Sequence, residues 1–149
     1  MAHYTLAMGA VLSPDGAWLA FLSDETGRAE VYIQAFETGP EPRLKGGKVQ
    51  VSRDGGSVIR WRPDGKELFY LNSEDWLVSV PISIKGRFTL GQPQPLFRAE
   101  TPPRNLGGSG PDWGFDVSSD GARFLMMDGS DWGPVPLVVM QNWQQALHR

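Results

Sequence analysis

A four-residue turn motif occurs three times along the chain and limits the possible folds more than any other feature. The copies are Ser13-Pro14-Asp15-Gly16, Arg62-Pro63-Asp64-Gly65 and Ser118-Ser119-Asp120-Gly121, whose aspartates lie 49 and 56 residues apart. Proline presets φ in such a turn, aspartate accepts hydrogen bonds from the turn backbone, and glycine adopts positive φ. Each copy therefore predicts a hairpin between two antiparallel strands, and the three aspartates are interpreted as turn-formers.

The sequence after each turn repeats as well. The six residues that follow align without a gap and end in four apolar positions: Ala17–Leu22, Lys66–Leu71 and Ala122–Met127. Apolar runs without alternation predict strands that are covered on both faces. Further strands are predicted after them at Val31–Phe36, Leu77–Ile82 and Leu137–Met140, with weaker fourth strands at Val49–Ser52 and Leu96–Arg98.

The residues before each turn form a strand whose positions also align. Its three columns are Ala10, Ile59 and Phe115; then Val11, Arg60 and Asp116; then Leu12, Trp61 and Val117. The first and third columns share one face of the strand, because side chains alternate. Each unit is therefore predicted to be an antiparallel meander of three or four strands.

Meanders of 40 to 50 residues that repeat along a chain are typical of β-propeller blades. We predict an all-β fold of about three antiparallel blades, a half-propeller, in a single domain over 1–149. The blades cover approximately 5–52, 53–100 and 111–143, with an inter-blade loop at 101–110. The 18 glycines and 12 prolines suit many short strands joined by turns. A sandwich with similar hairpins is the alternative, and Asn142 could cap a short final helix.

Two stretches resemble a known family. Ser13–Phe21 and Trp61–Tyr70 resemble TolB-type, WD-like repeats of bacterial propellers. The ending, Phe115–Gly121 with Val138–Trp143, is similar to the final blade of propellers that follow some bacterial eukaryotic-like serine/threonine kinases. The resemblance covers nearly the whole chain and implies a propeller. It implies no single activity, because the family includes interaction modules, sensor domains and peptidase-associated propellers.

The number of blades predicts self-association. Closed propellers have four or more blades, so three would leave two blade faces open. A second copy could complete a six-bladed ring as a homodimer, or the chain could be the C-terminal part of a longer protein.

Charge and composition exclude several classes of partner. The chain has 14 basic and 17 acidic residues, and no basic stripe that would neutralise phosphates, so nucleic-acid binding is not expected. It has no cysteine, and no apolar run long enough for a membrane span. The residues after Met1 lack signal-peptide features, which predicts a cytoplasmic protein as written.

No complete catalytic constellation is visible. Ser109 lies in a glycine-rich stretch, but Pro111 replaces the second glycine of a nucleophile elbow. The two histidines, His3 and His148, lie at the chain ends, where a catalytic triad is not expected. Kinase motifs are absent from the sequence.

Oxygen ligands for calcium are concentrated before and on the first strand of the third unit, at Asn105, Asp112 and Asp116. Innermost propeller strands line a central channel, where carboxylates and amides could hold Ca²⁺. The arrangement is similar to that of six-bladed calcium-dependent lactonases, in which the metal polarises a lactone carbonyl. The alternative is an ion pair between Asp116 and Arg60, which occupy one column.

The six tryptophans divide into two groups. Trp18 and Trp61 lie on predicted strands and are interpreted as packing residues. Trp76, Trp113 and Trp132 each follow an aspartate in a turn or at a strand start. With Arg60 they could form a ligand-binding surface, or the tryptophans could cover blade ends.

Two functions follow from these patterns. The leading hypothesis is a non-enzymatic propeller module that binds a protein or small ligand through its loop face or channel. The alternative is a calcium-dependent hydrolase of lactones or esters, with its site in the channel of an assembled six-bladed ring.

Overall fold

A computed structural model describes residues 8–84, 88–99, 114–127 and 137–141. Within these residues the chain forms twelve strands and no helix, and every strand pair is antiparallel. The all-β prediction is therefore confirmed for the described part. No helix found there is long and apolar enough to cross a membrane.

The strands form three sheets in chain order. Sheet 1 has the order β1 (Met8–Leu12), β2 (Trp18–Ser23), β3 (Glu30–Glu37) and β4 (Arg43–Gln50). Sheet 2 contains β5 (Ser57–Trp61), β6 (Glu67–Leu71), β7 (Trp76–Ser83), β8 (Thr89–Leu90) and β9 (Gln94–Arg98). Sheet 3 contains β10 (Phe115–Val117), β11 (Arg123–Met127) and β12 (Leu137–Gln141).

The outermost strands differ most from the sequence prediction. The strand predicted at Val49–Ser52 is wrong in its bounds, because β4 begins at Arg43 and ends at Gln50. This strand contains two glycines and several charged residues, so its sequence does not show the apolar pattern by which strands are recognised. Its early part pairs with the end of β3, where the Glu37 carboxylate also contacts Arg43 at 2.8 Å and Lys45 at 2.7 Å. In sheet 2 the outermost position is divided between β8 and β9, both of which pair with β7.

The three repeated turns have the predicted chemistry. Each aspartate Oδ1 accepts the N–H two residues further on, from Ala17 to Asp15 (3.1 Å), Lys66 to Asp64 (3.0 Å) and Ala122 to Asp120 (2.9 Å). The glycines that follow have φ of 71°, 72° and 71°, a region that other residues rarely adopt. The interpretation of these aspartates as turn-formers is confirmed.

Each sheet has two faces, which we name by equivalent positions of its second strand. Face A carries Leu19 in sheet 1, Leu68 in sheet 2 and Phe124 in sheet 3. Face B carries the next residues along, Ala20, Phe69 and Leu125. Strand pairing assigns the remaining residues to one face or the other, since directly opposed residues point the same way.

Two apolar clusters lie between successive sheets. The first joins face B of sheet 1 to face A of sheet 2, through Ala20, Val31, Ile33, Ile59, Trp61, Leu68, Tyr70, Val78 and Val80. The second joins face B of sheet 2 to face A of sheet 3, through Phe69, Leu71, Leu77, Phe115, Phe124 and Met126. Sheet 2 is therefore covered on both faces, which confirms the prediction for the apolar run at Leu68–Leu71.

Candidate functional site

The first strands of the three units lie next to one another. Strand β1 contacts β5, and β5 contacts β10. The indole Nε1 of Trp61 donates a hydrogen bond to the Val11 carbonyl at 3.2 Å, which fastens β5 to β1. Trp61 is a buried packing residue, as predicted. The three first strands consequently form one continuous wall, along which side chains from different units can meet.

The column Val11, Arg60 and Asp116 lies on face B along this wall. Val11 packs against the first apolar cluster. Arg60 is half-buried, and its Nη1 donates to the Ile59 carbonyl at 2.8 Å. Asp116 is exposed, and its Oδ1 accepts the N–H of Val117 at 2.8 Å. Asp116 is thus an accessible carboxylate on a first strand, and its predicted ion pair with Arg60 remains a prediction.

A shallow cleft of about 240 Å³ adjoins this carboxylate. Its walls are Asp116, Val117, Ser118, Arg123, Phe124 and Leu125. The cleft therefore lies along the first two strands of sheet 3, where a carboxylate and a guanidinium occupy the same face.

The proposed calcium ligands are only partly described. Asn105 and Asp112 lie outside the described residues, so the structure places Asp116 alone. Among the residues that the structure describes, no group of three histidine, cysteine, aspartate or glutamate side chains could hold a metal ion. Calcium binding by these three residues stays a prediction.

Of the three tryptophans proposed as a binding surface, the structure describes one. Trp76 is half-buried against the first apolar cluster, and its backbone N–H donates a hydrogen bond to Asn72 Oδ1 at 2.8 Å. Trp113 and Trp132 lie outside the described residues. Trp18 stacks on Phe88 with ring centroids 4.1 Å apart, in agreement with its predicted packing role.

The sequence analysis did not identify a buried carboxylate at Glu30, the first residue of β3. Glu30 is 2% exposed and accepts hydrogen bonds from the Ser52 hydroxyl and from the Gly55 N–H. Arg28 donates to its Oε1 from Nη2 at 2.6 Å. Burial by itself raises the pKa of Glu30, but these donors outweigh burial and hold the pKa below its ordinary value.

This cluster connects units rather than forming a cleft. Ser52 and Gly55 belong to the connection between β4 and β5, so Glu30 binds sheet 1 to the start of sheet 2. The sequence offers one weak signal, an acidic residue directly before an apolar strand. That signal usually marks a strand end.

Comparison with known proteins finds similarity at the level of structure. No family model matches the sequence, and no curated protein matches it. A provisionally assigned 6-phosphogluconolactonase from Bacteroides uniformis has a TM-score of 0.57 and 16% identity, covering 95% of this chain and 40% of that one. Another from Bacteroides fragilis has a TM-score of 0.54, with the same identity and coverage. The likeness is one of fold. This chain spans 40% of the length of these two structures.

These findings contradict the resemblance to TolB-type repeats and to kinase-linked propellers. The residues that carried it are mainly the Pro-Asp-Gly turns and the apolar runs after them. In the structure these residues are explained by turn hydrogen bonds and by burial, which any stack of similar hairpins requires. Such a motif indicates a local conformation and does not by itself identify a family.

Proposed function

We propose that the chain forms three consecutive blades of a β-propeller that hydrolyses a lactone or an ester. The order of strands in each sheet and the adjacency of β1, β5 and β10 support the blade arrangement. In a propeller the first strand of each blade lies innermost, around a central channel. A second copy of the chain is proposed to supply the blades that complete a six-bladed ring.

One observation supports the proposed activity most directly. Nearly the whole chain shares its fold with two proteins provisionally assigned as 6-phosphogluconolactonases. An exposed carboxylate, Asp116, lies on an innermost strand of this arrangement, beside a cleft that also contains Arg123. Sugar lactones, including 6-phosphogluconolactone, are therefore the first substrate class to test.

The chemistry that we assign to Asp116 is that of a general base. Its carboxylate would accept a proton from a water molecule as the water oxygen attacks the lactone carbonyl. The ring C–O bond then breaks, and the proton passes to the departing oxygen. Arg123, on the same face, would attract an anionic substrate.

Calcium is proposed to be held by Asn105, Asp112 and one carboxylate oxygen of Asp116, whose other oxygen is left to act as the general base. Carboxylate and amide oxygens are the ligands that calcium prefers, and the exposed position of Asp116 suits such a role. A bound calcium ion would polarise the carbonyl as a Lewis acid.

The test measures lactone hydrolysis by acid release at neutral pH, with the full chain. The expected result is hydrolysis that Asp116→Asn lowers by about 100-fold, within the range for loss of a general base. The matched control is Asp24→Asn, an exposed aspartate at a hairpin far from the cleft, which should keep full activity. EDTA should remove the activity, and added calcium should restore it.

Two results would contradict this proposal. If the wild-type chain opens no lactone and no ester, the hydrolase is excluded. The remaining hypothesis is then a binding module in which Arg60, Trp76, Trp113 and Trp132 contact a protein or small ligand. If hydrolysis persists in EDTA, calcium is not required.

A further inference from the structure

An unusual backbone conformation occurs where sheet 2 meets sheet 3. Val58, the second residue of β5, has a φ of 42°, in the left-handed region that branched residues rarely adopt. The pairing of β5 with β6 shifts its register at this residue, between Ser57 and Ile59, as in a β-bulge. Strained residues of this kind persist only where the surrounding structure holds them, and they cluster at functional sites.

The equivalent positions of the other two units are glycines. Gly9 in β1 and Gly114 before β10 occupy the place of Val58, one residue ahead of the first aligned column. Gly9 also has a positive φ, 67°, beside a register shift in the pairing of β1 with β2. Glycine adopts this conformation without strain. Unit 2 therefore carries a branched side chain at a position where the repeated backbone geometry favours glycine.

The Val58 side chain fills the space over Gly114. Gly114 is buried, and a Cβ added to it would overlap Val58 Cγ1. The φ of Gly114 lies outside the left-handed region, so the close approach of Val58 is what requires glycine here. Val58 also packs against the second apolar cluster, which contains Phe115 and against which Val117 packs as well. One methyl group of β5 thus rests directly on the backbone that leads into β10.

Strand β10 holds Asp116 between two apolar side chains. Phe115 and Val117 point to face A and into the second cluster, whereas Asp116 lies between them on face B. The strand has three residues, is paired with β11 at the edge of sheet 3, and contacts β5. A displacement of β10 relative to β5 would therefore displace the Asp116 carboxylate.

We propose that Val58 is a positioning residue for Asp116. Its Cγ1 methyl, held over Gly114 by the strained backbone, sets the separation of β5 and β10 and thereby the place of the carboxylate. The proposal rests on the proposed function, in which Asp116 acts as the general base. Misplacement of a reacting group by about 1 Å can lower a rate by about 100-fold. The cleft walls on β11 would still bind the substrate, so the effect falls on kcat and not on KM.

The first experiment observes Asp116 without substrate. The backbone N–H of Val117 donates to Asp116 Oδ1 at 2.8 Å, so its amide resonance in an NMR spectrum of the full chain reports the carboxylate. The resonance is identified by its movement in Asp116→Asn. Val58→Ala should move it as well. The matched control is Leu96→Ala, which removes apolar contacts from the same cluster on the outlying strand β9 and should leave the resonance in place.

The second experiment measures kcat and KM for lactone hydrolysis by the same variants. Val58→Ala should lower kcat by about 10- to 100-fold, because the base is displaced from the attacking water. Its KM should stay within about twofold of the wild-type value. Leu96→Ala should keep both constants, which distinguishes a displaced carboxylate from a general loss of packing.

A double variant tests the contact itself. Gly114→Ala alone overlaps Val58 Cγ1 and should disturb both the resonance and kcat. When Val58→Ala is combined with Gly114→Ala, the new Cβ would lie 3.4 Å from the Val58 Cβ position, an ordinary contact distance. One methyl group then replaces another, and both readouts should return most of the way to wild type. If Val58→Ala fails to fold, as judged by circular dichroism, Gly114→Ala is compared with the double variant in its place.

Three results would overturn the positioning role: a Val117 resonance that Val58→Ala leaves unmoved, a double variant that is no better than the single ones, or hydrolysis that Val58→Ala leaves unchanged. The proposed activity fails in a different way. In that case the wild-type chain opens no lactone, while the Val117 resonance still moves in Val58→Ala and returns in the double variant.

Discussion

Replacement of Glu30 tests how the first unit is joined to the second. The carboxylate accepts hydrogen bonds from the hydroxyl of Ser52, which is 0% exposed, and from the buried N–H of Gly55. A buried donor that loses its acceptor destabilises a protein by about 1–3 kcal/mol. Glu30→Ala leaves two such donors, so we expect it to lower the free energy of unfolding by about 3 kcal/mol.

Glu30→Gln should be milder. Glutamine keeps the shape and one acceptor oxygen, but its NH₂ group faces groups that are themselves donors. The lost ion pair adds little, because the Arg28 side chain is 53% exposed and screened by solvent. We expect a loss of about 2 kcal/mol. Urea unfolding at neutral pH, followed by tryptophan fluorescence, measures both variants.

The matched control is Glu37→Gln, at the other end of the same strand. Glu37 pairs with two cations, Arg43 and Lys45, but its side chain is 38% exposed. Its replacement should change the unfolding free energy by little more than the experimental error. Equal losses at Glu30 and Glu37 would show that burial of the network contributes nothing.

The pH dependence gives a second reading of the same site. The pKa of Glu30 in the folded chain lies below the ordinary value of 4.5. The ionised carboxylate therefore contributes its full stability above that value, and the contribution is lost as pH falls through the lower folded pKa. The difference between wild type and Glu30→Gln should shrink over this acidic range. A difference that is constant from neutral to strongly acidic pH would refute the assignment of the ionised form.

Three further predictions concern single contacts. Trp61→Phe keeps an aromatic side chain but removes the hydrogen bond to the β1 carbonyl and part of a buried ring, and it should lower the free energy of unfolding by about 1–3 kcal/mol in urea. Gly114→Ala would place a Cβ against Val58 Cγ1, and the overpacking should destabilise the chain by about 1–3 kcal/mol. Gly47→Ala, which meets open space, should change the stability by less than about 0.5 kcal/mol in the same assay, and equal losses would contradict the close packing. Burial, with the nearby acidic charges, raises the pKa of Tyr70 to about 12, so stability should fall above pH 10 as tyrosine ionises in the unfolded chain first. Ultraviolet titration should show a late phenol that Tyr70→Phe removes.

The parts of the fold that depend on near neighbours were predictable. The turn at Asp64 needs only an N–H two residues away and a glycine that tolerates positive φ. The strands beside the turns follow from apolar runs such as Leu68–Leu71. Strand β4 was not predictable in its bounds, because its residues are exposed throughout and show no apolar pattern that marks a strand.

One residue of the candidate site was predictable from the sequence. The column alignment placed Asp116 on a first strand, where the structure finds it exposed. The alignment could not show that Leu12 and Leu125 are exposed, because apolar residues at equivalent positions, Trp61 for Leu12 and Ala20 and Phe69 for Leu125, are buried.

The sequence alone determined an all-β chain of three repeated hairpin units, since turn chemistry and apolar periodicity act over a few residues. Only the tertiary structure decided which faces pack together and which stay open. It also decided that Glu30 is a buried link, because its partner Ser52 is 22 residues away in the sequence. Contacts between residues so far apart in the sequence depend on how whole sheets stack, and they cannot be predicted from a local sequence pattern.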